Sequence, residues 1–428
     1  MLSLYLGLAV LLTAVLATAS FALLVERGGI RGVGDRWVSR RIERWVGRRA
    51  LTGWDWRAVA AVLGGGYALI AAFDLAHGFY ACVPGAGPSD LQGLLASGRA
   101  FWSGGNPFDV YDCGTPVVLP YGIAAVVLDA VGSLGGAPGI AAVWGIVGLA
   151  LVPLVWLLAD GEARYATTLL AASPIYLPVI AGEVDGASNA IVPVGVLLAI
   201  LLARRRGSWA AAVGGLLSTA RFPALFALLA ASGGRPRRRV VAGVAIAAFA
   251  AGTALAFARW RTSFLNAVFL SQASRHAFSL NAFGILLNAH ALPGGLALPV
   301  GQAVATLAVT LAAFLTVRSP VRAAAIALTA VALLTQFLSF PILLWLVPVV
   351  LVGGRERWWL WAISVVGSVN FYLALDTLGW GEGIYGPTDL LDGVVTVLLL
   401  ALLIELWRNA RTDDANPSAG LAPAAPGG

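Results

Sequence analysis

Apolar runs, most of them about 20 residues long, recur along the whole chain and are separated by short polar segments. A helix needs about 20 mainly apolar residues to cross the hydrocarbon layer of a bilayer, which is about 30 Å thick. The pattern therefore predicts an all-α, polytopic transmembrane helical bundle of about 11–13 spans. The runs are residues 2–25, 58–77, 117–134, 138–158, 165–181, 186–203, 240–258, 296–317, 322–340, 341–353, 358–376 and 388–407.

The composition agrees with this interpretation and excludes several classes of protein. Of the 428 residues, 59% are hydrophobic and only 11% are charged, whereas soluble domains carry about 25% charged residues. A soluble enzyme, a disordered chain and a secreted disulfide scaffold are therefore excluded. The chain also has no Walker A loop and no dinucleotide fingerprint, so no nucleotide is expected.

Arginines cluster at the ends of apolar runs, and the chain has a net charge of +7. By the positive-inside rule these ends are cytoplasmic, which makes residues 78–116 and 260–293 outer segments. We therefore expect a multi-pass plasma-membrane protein with its site on the outer face, membrane lipids as partners and no nucleic-acid partner. The clusters are the Arg-rich residues 27–57, Arg204 to Arg206, Arg235 to Arg239, Arg318 with Arg322, Arg355 with Arg357, and Arg408 with Arg411.

The same pattern divides the chain into four parts. Residues 1–56 hold the first helix and a basic cytoplasmic linker, which either lies on the membrane surface or is solvated. Residues 57–290 hold both outer segments, and residues 291–411 form accessory transmembrane helices. Residues 412–428 are rich in Pro, Ala and Gly and are expected to be a disordered tail.

Two stretches break the simple alternation of crossings. One of the four segments between the first outer loop and Arg204 cannot cross, and residues 117–134, with Pro120 and Asp129, are the weakest. We expect a helix there that is re-entrant or does not fully cross. Residues 208–231 have basic flanks on both sides and Arg221-Phe222-Pro223 in the middle, which favours two half-helices over one crossing.

The large first outer loop carries an amphipathic pattern that starts at Asp90. A helix with this pattern would lie on the membrane surface, between water and the lipid headgroups. Asp90 itself is either a functional carboxylate or simply the N-cap of this helix. The apolar face comprises Leu91, Leu94, Leu95 and Phe101.

Both cysteines, Cys82 and Cys113, lie in this loop on either side of Asp90. An oxidising outer compartment permits a disulfide between them. Closing a loop of about 30 residues would contribute roughly 3–4 kcal/mol to the free energy of unfolding. Two unpaired thiols are the alternative.

The second outer segment is cationic and contains no carboxylate. Cations on the outer side oppose the positive-inside tendency, and a lipid phosphate or pyrophosphate would explain them. Surface solubility is the alternative explanation. The cations of this region are Arg259, Arg261, Arg275, His276 and His290.

Two further polar features lie close to apolar runs. Glu183, Asp185 and Asn189 stand at an expected membrane boundary, where polar groups are costly unless they face water or a cavity. Alternatively, these three residues lie in an ordinary exposed turn, where water solvates their side chains. Arg221 lies within an apolar stretch and is either functional or paired structurally with Asp185 or Glu183.

Four segments, in this order, resemble the GT-C superfamily of integral-membrane glycosyltransferases. The branch they resemble most is the bacterial and archaeal one that depends on polyprenyl-phosphate-mannose. The segments are Asp90-Leu91 with GGNPFDVYD at 104–112, VLPYGIAAVV from Val118, GEVDGASN from Gly182, and AAVGGLLSTARFPALFAL from Ala211. Together they cover residues 57–240, and NAFGILLNAH from Asn281 extends the similarity weakly.

The chain departs from the family pattern at three places. Glu183 stands where the family has Gln, Arg221 stands where relatives often have Lys, and Leu119-Pro120-Tyr121 replaces a Tyr-Pro-Pro start. The first two departures bear directly on which residues take over the family's roles.

The resemblance implies a GT-C-like fold, with residues 57–290 as its catalytic module. It also implies inverting transfer of a hexose, mannose first, from a polyprenyl-phosphate sugar to a glycolipid or glycan acceptor. Asp90 would be the catalytic base, and Arg221, Arg275 and His276 would hold the donor phosphate. No cofactor is expected, and a divalent metal is not favoured, although several carboxylates offer oxygen ligands. The residues expected to bind substrate are Tyr111, Asp112, Glu183, Asp185, Asn189 and Asn281.

A lipid or small-molecule transporter or flippase is the alternative function. Arg221, Asp129 and Asp392 favour it, because they lie within apolar runs. The lack of a clear internal repeat and the concentration of polar residues in outer loops argue against it. A non-catalytic membrane scaffold is a third hypothesis.

We expect both cysteines of the unreduced, denatured protein to resist alkylation until a reductant is added, because a disulfide offers no free thiolate. Mass spectrometry counts the alkylated cysteines. In the control Cys82→Ser, Cys113 has no partner and should be alkylated without reductant. Alkylation of both cysteines in the unreduced wild type would contradict the bond.

Overall fold

The structure is a computed structural model, and the residues that it describes are almost entirely helical, with one short antiparallel hairpin. Those residues are 2–28, 55–77, 90–112, 115–117, 122–159, 162–182, 188–205, 208–233, 236–270, 279–288, 291, 297–335, 338–353, 356–377 and 387–415.

The regular elements follow one another with short connections. The helices are α1 Leu2–Gly28, α2 Trp56–His77, α3 Asp90–Trp102, α4 Ile123–Ser133, α5 Gly136–Leu149, α6 Leu151–Leu158, α7 Ala163–Ala171, α8 Tyr176–Gly182, α9 Ile191–Arg205, α10 Ser208–Ser218, α11 Ala224–Ala231, α12 Pro236–Leu265, α13 Ala282–Asn288, α14 Ala297–Thr316, α15 Pro320–Leu334, α16 Leu346–Gly353, α17 Arg357–Thr377 and α18 Pro387–Ala415. A π-helical turn, Asn266–Leu270, follows α12, and a 3₁₀ helix, Phe340–Trp345, precedes α16. Strands β1 Val110–Asp112 and β2 Thr115–Val117 pair antiparallel.

Within the described ranges, five helices are long and apolar enough to cross a membrane, by length and composition. They correspond to five of the expected runs. Several other expected runs form shorter helices; for example, α7 and α8 divide the run expected at 165–181. The five are Trp56–Ala76, Gly136–Leu158, Arg239–Val268, Leu298–Thr316 and Asp389–Arg411.

One hydrophobic core joins residues from Leu23 to Ala410. Three of the four divisions expected from the sequence contribute to it. Described helices of residues 1–56, 57–290 and 291–411 thus bury one another's apolar faces.

A buried ion pair gathers three helix ends at one end of the bundle. Nη2 of Arg322, in the first turn of α15, lies 3.5 Å from Oε1 of Glu356, just before α17. Nδ2 of Asn409, near the end of α18, donates to the same oxygen at 2.9 Å, and Nη1 of Arg322 donates to the carbonyl of Asn409 at 3.1 Å. We call this end of the bundle the basic end.

A second ion pair brings two further helices to the basic end. Arg357, which begins α17, pairs with Glu162, and its guanidinium lies 4.7 Å from the ring centroid of Tyr165 in α7. The Tyr165 hydroxyl donates to the carbonyl of Leu23 near the end of α1 at 3.0 Å. Arg322 and Arg357, two of the arginines predicted to mark one side of the protein, thus lie at the same end of the structure.

Helix α10 runs alongside α12 in the same direction. Gly215 packs on the main chain of Ala245, and Thr219, one turn further on, contacts Gly252. Because residue numbers increase together along the two helices, both begin at the basic end and point away from it.

Helix α11 then returns towards the basic end. Gly233, just after α11, and Arg239, near the start of α12, both contact Phe314, whereas Phe222, just before α11, lies 6.4 Å by ring centroids from Phe249. Helices α10 and α11 therefore form a re-entrant hairpin with its tip at 219–223, about 20 Å along α12 from its start by helical rise. The two half-helices predicted for residues 208–231 are confirmed.

The tip of this hairpin touches the start of α4. The Gly122 N–H donates to the carbonyl of Ala220 at 2.7 Å, and the Ala124 N–H donates to Oγ1 of Thr219 at 3.2 Å. Helix α4 has 11 residues and is about 16 Å long, roughly half the hydrocarbon thickness. Helix α4 alone is therefore too short for a full crossing, and the expected re-entrant course of residues 117–134 stays a prediction.

Helix α3 lies against α4 and α5. Gly98 makes this possible, because its Cα approaches the main chain of Asp129 so closely that no side chain would fit. Leu91, Leu94 and Leu95 are buried in the core. The sequence expectation for this helix therefore needs correction: protein covers its leucines, so they are not free to enter the headgroup layer.

We expect Gly122→Ala to lower the melting temperature of the detergent-solubilised protein. The φ and ψ of Gly122, −83° and −172°, suit any residue, but a Cβ would overlap the Thr219 carbonyl and separate α4 from the hairpin tip. Overpacking of this kind costs about 1–3 kcal/mol.

The matched control is Gly243→Ala in α12, where a Cβ meets nothing within 4 Å. Alanine favours a helix interior by about 1 kcal/mol relative to glycine, so this variant should melt at or above the wild-type temperature. Equal melting of the two variants would contradict the tip contact.

Candidate functional site

An open groove lies at the end of the bundle opposite the basic end, between the turn after α3 and the last turns of α12. Its volume is about 300 Å³. It joins two segments that the sequence marked separately, GGNPFDVYD and the cationic second outer segment. Its lining comprises Gly104, Gly105, Asn106, Arg259, Trp260 and Arg261.

The turn on one side of the groove is a glycine-terminated helix end. Gly104 has φ +74°, a left-handed conformation that glycine adopts without strain. The N–H of Gly105 donates to the carbonyl of Ala100 at 2.8 Å, and the N–H of Gly104 to that of Phe101 at 3.2 Å. This pair of bonds is a Schellman motif, so Gly-Gly after an amphipathic run fixes where α3 stops.

Aromatic rings fasten this turn to α12. Oδ1 of Asn106 accepts from the N–H of Phe108 at 3.1 Å, which turns the chain so that Phe108 is buried. The Phe108 ring centroid lies 5.4 Å from that of Trp260 and 5.3 Å from that of Phe264, both edge-on. Such aromatic pairs contribute about 0.5–1.5 kcal/mol each to stability beyond the burial of their surface. The groove therefore rests on a well-packed cluster of aromatic rings.

The other side of the groove is cationic. Arg259 and Arg261 are exposed, and neither has a carboxylate within salt-bridge distance among the residues that the structure describes. Arg261 has φ 41° and ψ −115°, a strained conformation for a residue with a side chain. Two exposed guanidinium groups beside an indole ring suit a ligand that carries negative charge.

Asp90 and the residues of strand β1 are placed only through their backbones. Asp90 begins α3, about 18 Å along the helix from its end at Trp102, so the groove does not lie beside it. Tyr111 and Asp112 are in β1, paired with Pro116 and Thr115. Their expected roles as base and substrate ligands stay predictions.

Six predicted site residues lie outside the part of the chain that the structure describes. They include two of the three polar residues expected in the loop before α9 and two of the three expected phosphate ligands. The six are Cys82, Cys113, Glu183, Asp185, Arg275 and His276.

Arg221 and Asn189 are both buried within the bundle. Arg221 is at the hairpin tip, with 9% of its surface exposed, and Asn189 lies just before α9, with 2% exposed. Neighbouring Phe222 packs edge-on against Phe226 at 5.6 Å. A charge at this depth is costly unless it is paired or solvated, and the two partners suggested by the sequence fall outside the described ranges.

Asn281, which was expected to bind substrate, makes its hydrogen bonds within the protein. Its Oδ1 accepts from Oγ of Ser279 and from the N–H of Phe283, both at 3.0 Å. Its Nδ2 donates to the carbonyls of Ala332 and Thr335, at 3.0 and 2.8 Å. The side chain is fully buried and all its usual bonds are made within the protein, so the geometry supports a structural bracket between α13 and α15 rather than substrate binding.

Two buried polar pairs were not assigned to the site. Nδ2 of Asn370 donates to Oδ1 of Asp392 at 2.6 Å, and Nε1 of Trp144 donates to Oδ1 of Asp129 at 2.9 Å. The two aspartates were visible in the sequence as charges within apolar runs, whereas no local signal identified Asn370. Trp260 and Asn106 were not identified as site residues, although each lies in a segment that the sequence had marked, whereas Arg259 and Arg261 were noted only as cations of the second outer region.

Comparison with protein-family models, with curated proteins and with solved structures finds no match to this chain. The site is therefore interpreted from its own geometry.

We expect Asn281→Ala to lower the free energy of unfolding by at least about 2 kcal/mol, because buried donors and acceptors lose their partners. Thermal unfolding in detergent measures the change. The control is Asn266→Ala, since Asn266 is exposed and should tolerate the same substitution. If Asn281→Ala melted like wild type, the bracket would be unimportant and a ligand-binding role would regain support.

Proposed function

We propose that the protein is a membrane-embedded glycosyltransferase. It moves a hexose, with mannose as the first candidate, from a polyprenyl-phosphate sugar to a glycolipid or glycan acceptor on the outer face. The five long apolar helices supply the membrane setting that a polyprenyl donor requires.

The observation that carries the proposal is the meeting of segments that resemble the GT-C family. The helix start at Gly122 and the hairpin tip with Arg221-Phe222-Pro223 join through bonds between residues 95 positions apart, Ala124 and Thr219. The first-loop turn packs on the neighbouring part of α12 through Phe108 and Trp260. Segments dispersed along the chain thus converge around α12, as parts of one site would.

The orientation follows from charge. If the basic end faces the cytoplasm, as the positive-inside rule requires, the groove faces outward. The shorter apolar helices would then complete crossings in pairs, as α7 with α8 can, and the protein would be multi-pass with its site at the outer surface.

The chemistry needs one base and several cations. An acceptor hydroxyl oxygen attacks the anomeric carbon, the bond from that carbon to the phosphate oxygen breaks, and the electron pair leaves with the lipid phosphate. The hydroxyl proton passes to the Asp90 carboxylate. Arg221, Arg275 and His276 stabilise the charge that develops on the phosphate, and the reaction balances without a metal ion or nucleotide.

A transporter or flippase is the second candidate, and one observation favours it. Transporters commonly place broken helices near the membrane midplane at the substrate site. The α10–α11 hairpin is such a broken helix, it carries Arg221 at its tip, and it meets a second short helix there. The test below therefore measures transfer and movement of the lipid separately.

We expect Asp90→Asn to reduce sugar transfer by about 100-fold or more, because a positioned base contributes about 10²–10⁴ to the rate. Purified protein in nanodiscs receives radiolabelled polyprenyl-phosphate-mannose and a membrane glycolipid extract, and label in the glycolipid is counted. Asp109→Asn is the control, since Asp109 is an exposed carboxylate of the same loop and should retain transfer.

Different results separate the hypotheses. Equal transfer by wild type and Asp90→Asn would move the base elsewhere, with Asp112 and Asp185 next to be substituted. Absence of transfer by wild type, together with movement of the lipid between leaflets in proteoliposomes, would replace the transferase by the transporter.

A further inference from the structure

We propose that the groove between residues 104–106 and 259–261 binds the phosphate group of an anionic lipid headgroup, as a ligand site separate from Asp90. The inference does not depend on glycosyl transfer. It rests on the depth of the groove, the arrangement of its two arginines and its distance from the start of α3.

The depth of the groove matches a membrane interface. Between Arg239 and Arg259, helix α12 carries no charged residue, and 20 helical residues span about 30 Å, the thickness of the hydrocarbon layer. Arg239 and Arg259 therefore lie at the two polar boundaries of one apolar helix. A groove beside Arg259 would be at the level of lipid headgroups, at the end away from the basic end.

The break in α12 is what brings both arginines to one groove. On a regular helix, residues two apart point to nearly opposite sides and do not face each other. At Arg261 the backbone leaves the helical conformation, with φ 41°, and both Arg259 and Arg261 line the same groove. The packing of neighbouring Trp260 and Phe264 against Phe108 holds the backbone in this strained conformation.

The donors in the groove suit a phosphate group. Two guanidinium groups offer paired N–H donors that match phosphate oxygens. Nδ2 of Asn106 has no described acceptor, since the Asn106 side chain is fixed only through Oδ1. The half-buried Trp260 ring gives an apolar or sugar-like part of the headgroup a flat surface on which to lie. The groove thus presents donors and an aromatic face, and none of its described lining residues is a carboxylate.

The groove is too far from Asp90 to hold the group that reacts there. The length of α3 separates them by about 18 Å, more than twice the reach of an arginine side chain. A ligand phosphate bound in the groove therefore belongs to a lipid other than the reacting donor, or to a distant part of a lipid-linked acceptor.

The test measures binding of short-chain phosphatidic acid to the full-length protein in uncharged detergent by isothermal titration calorimetry. The double variant Arg259→Gln/Arg261→Gln should bind at least about tenfold more weakly, because two charge-assisted contacts are lost. Affinity for wild type should fall as salt rises. A diacylglycerol with the same chains has no phosphate and should not bind at the groove.

The matched control is Arg239→Gln/Arg318→Gln, which removes two exposed arginines near the basic end and should keep the wild-type affinity. Arg259→Lys/Arg261→Lys retains the charge without the paired donors and should lose less affinity than the Gln pair. If the Gln pair does not fold, the Lys pair and the salt dependence of wild type decide the question.

Three results would overturn the proposal. Equal affinity in wild type and both groove variants would place the binding elsewhere. Binding of inorganic phosphate as tight as that of phosphatidic acid would make the groove a site for the free anion rather than a headgroup. Affinity of the wild type that does not change with salt would exclude an arginine–phosphate contact.

Discussion

The structure depends on one close backbone contact, the hydrogen bond from Gly122 to the carbonyl of Ala220. Apolar surroundings leave no water for backbone groups, so a helix that breaks within them must find partners in the protein. At the hairpin tip the partner comes from the start of α4, whose first N–H groups also need acceptors. The start of α4 supplies a hydrogen-bond donor for a carbonyl of the hairpin tip, and the tip supplies the acceptor that α4 needs. Only glycine at position 122 allows the two backbones to come this close. The contact fixes α4 and the α10–α11 hairpin together against α12.

Helix α12 contacts both the tip of the α10–α11 hairpin, which carries Arg221, and the groove, which carries Arg259 and Arg261. Gly252 contacts the hairpin tip, and Trp260 supports the groove, so these places are about 12 Å apart along one rigid helix. The buried Arg221 belongs to the first and the exposed Arg259 and Arg261 to the second. The same amino acid therefore faces two different environments, one where its charge must be matched within the protein and one where it can meet a ligand or water.

Polar residues in a very apolar chain invite functional interpretation, and Asn281 shows the limit of that inference. It stood in a segment with family resemblance, yet its amide makes four good hydrogen bonds that hold α13 to the end of α15. The unpaired backbone carbonyls at a buried helix end need hydrogen-bond donors, and a buried Asn side chain can supply them without binding a substrate. The groove arginines present the opposite case, because their guanidinium groups have no described acidic partner and remain accessible.

The sequence alone determined that the protein is helical and apolar enough for a membrane, because hydrophobic run length translates directly into helix length. It also located the break at Arg221-Phe222-Pro223, since proline and charge locally oppose a continuous apolar helix. It also located the start of α3, because the amphipathic pattern begins at Asp90. What only the tertiary structure decided is which distant segments meet: Gly122 with Ala220, Phe108 with Trp260, Asn281 with Thr335. These pairings depend on shape and on unsatisfied groups brought together in three dimensions, and no local pattern along the chain encodes them.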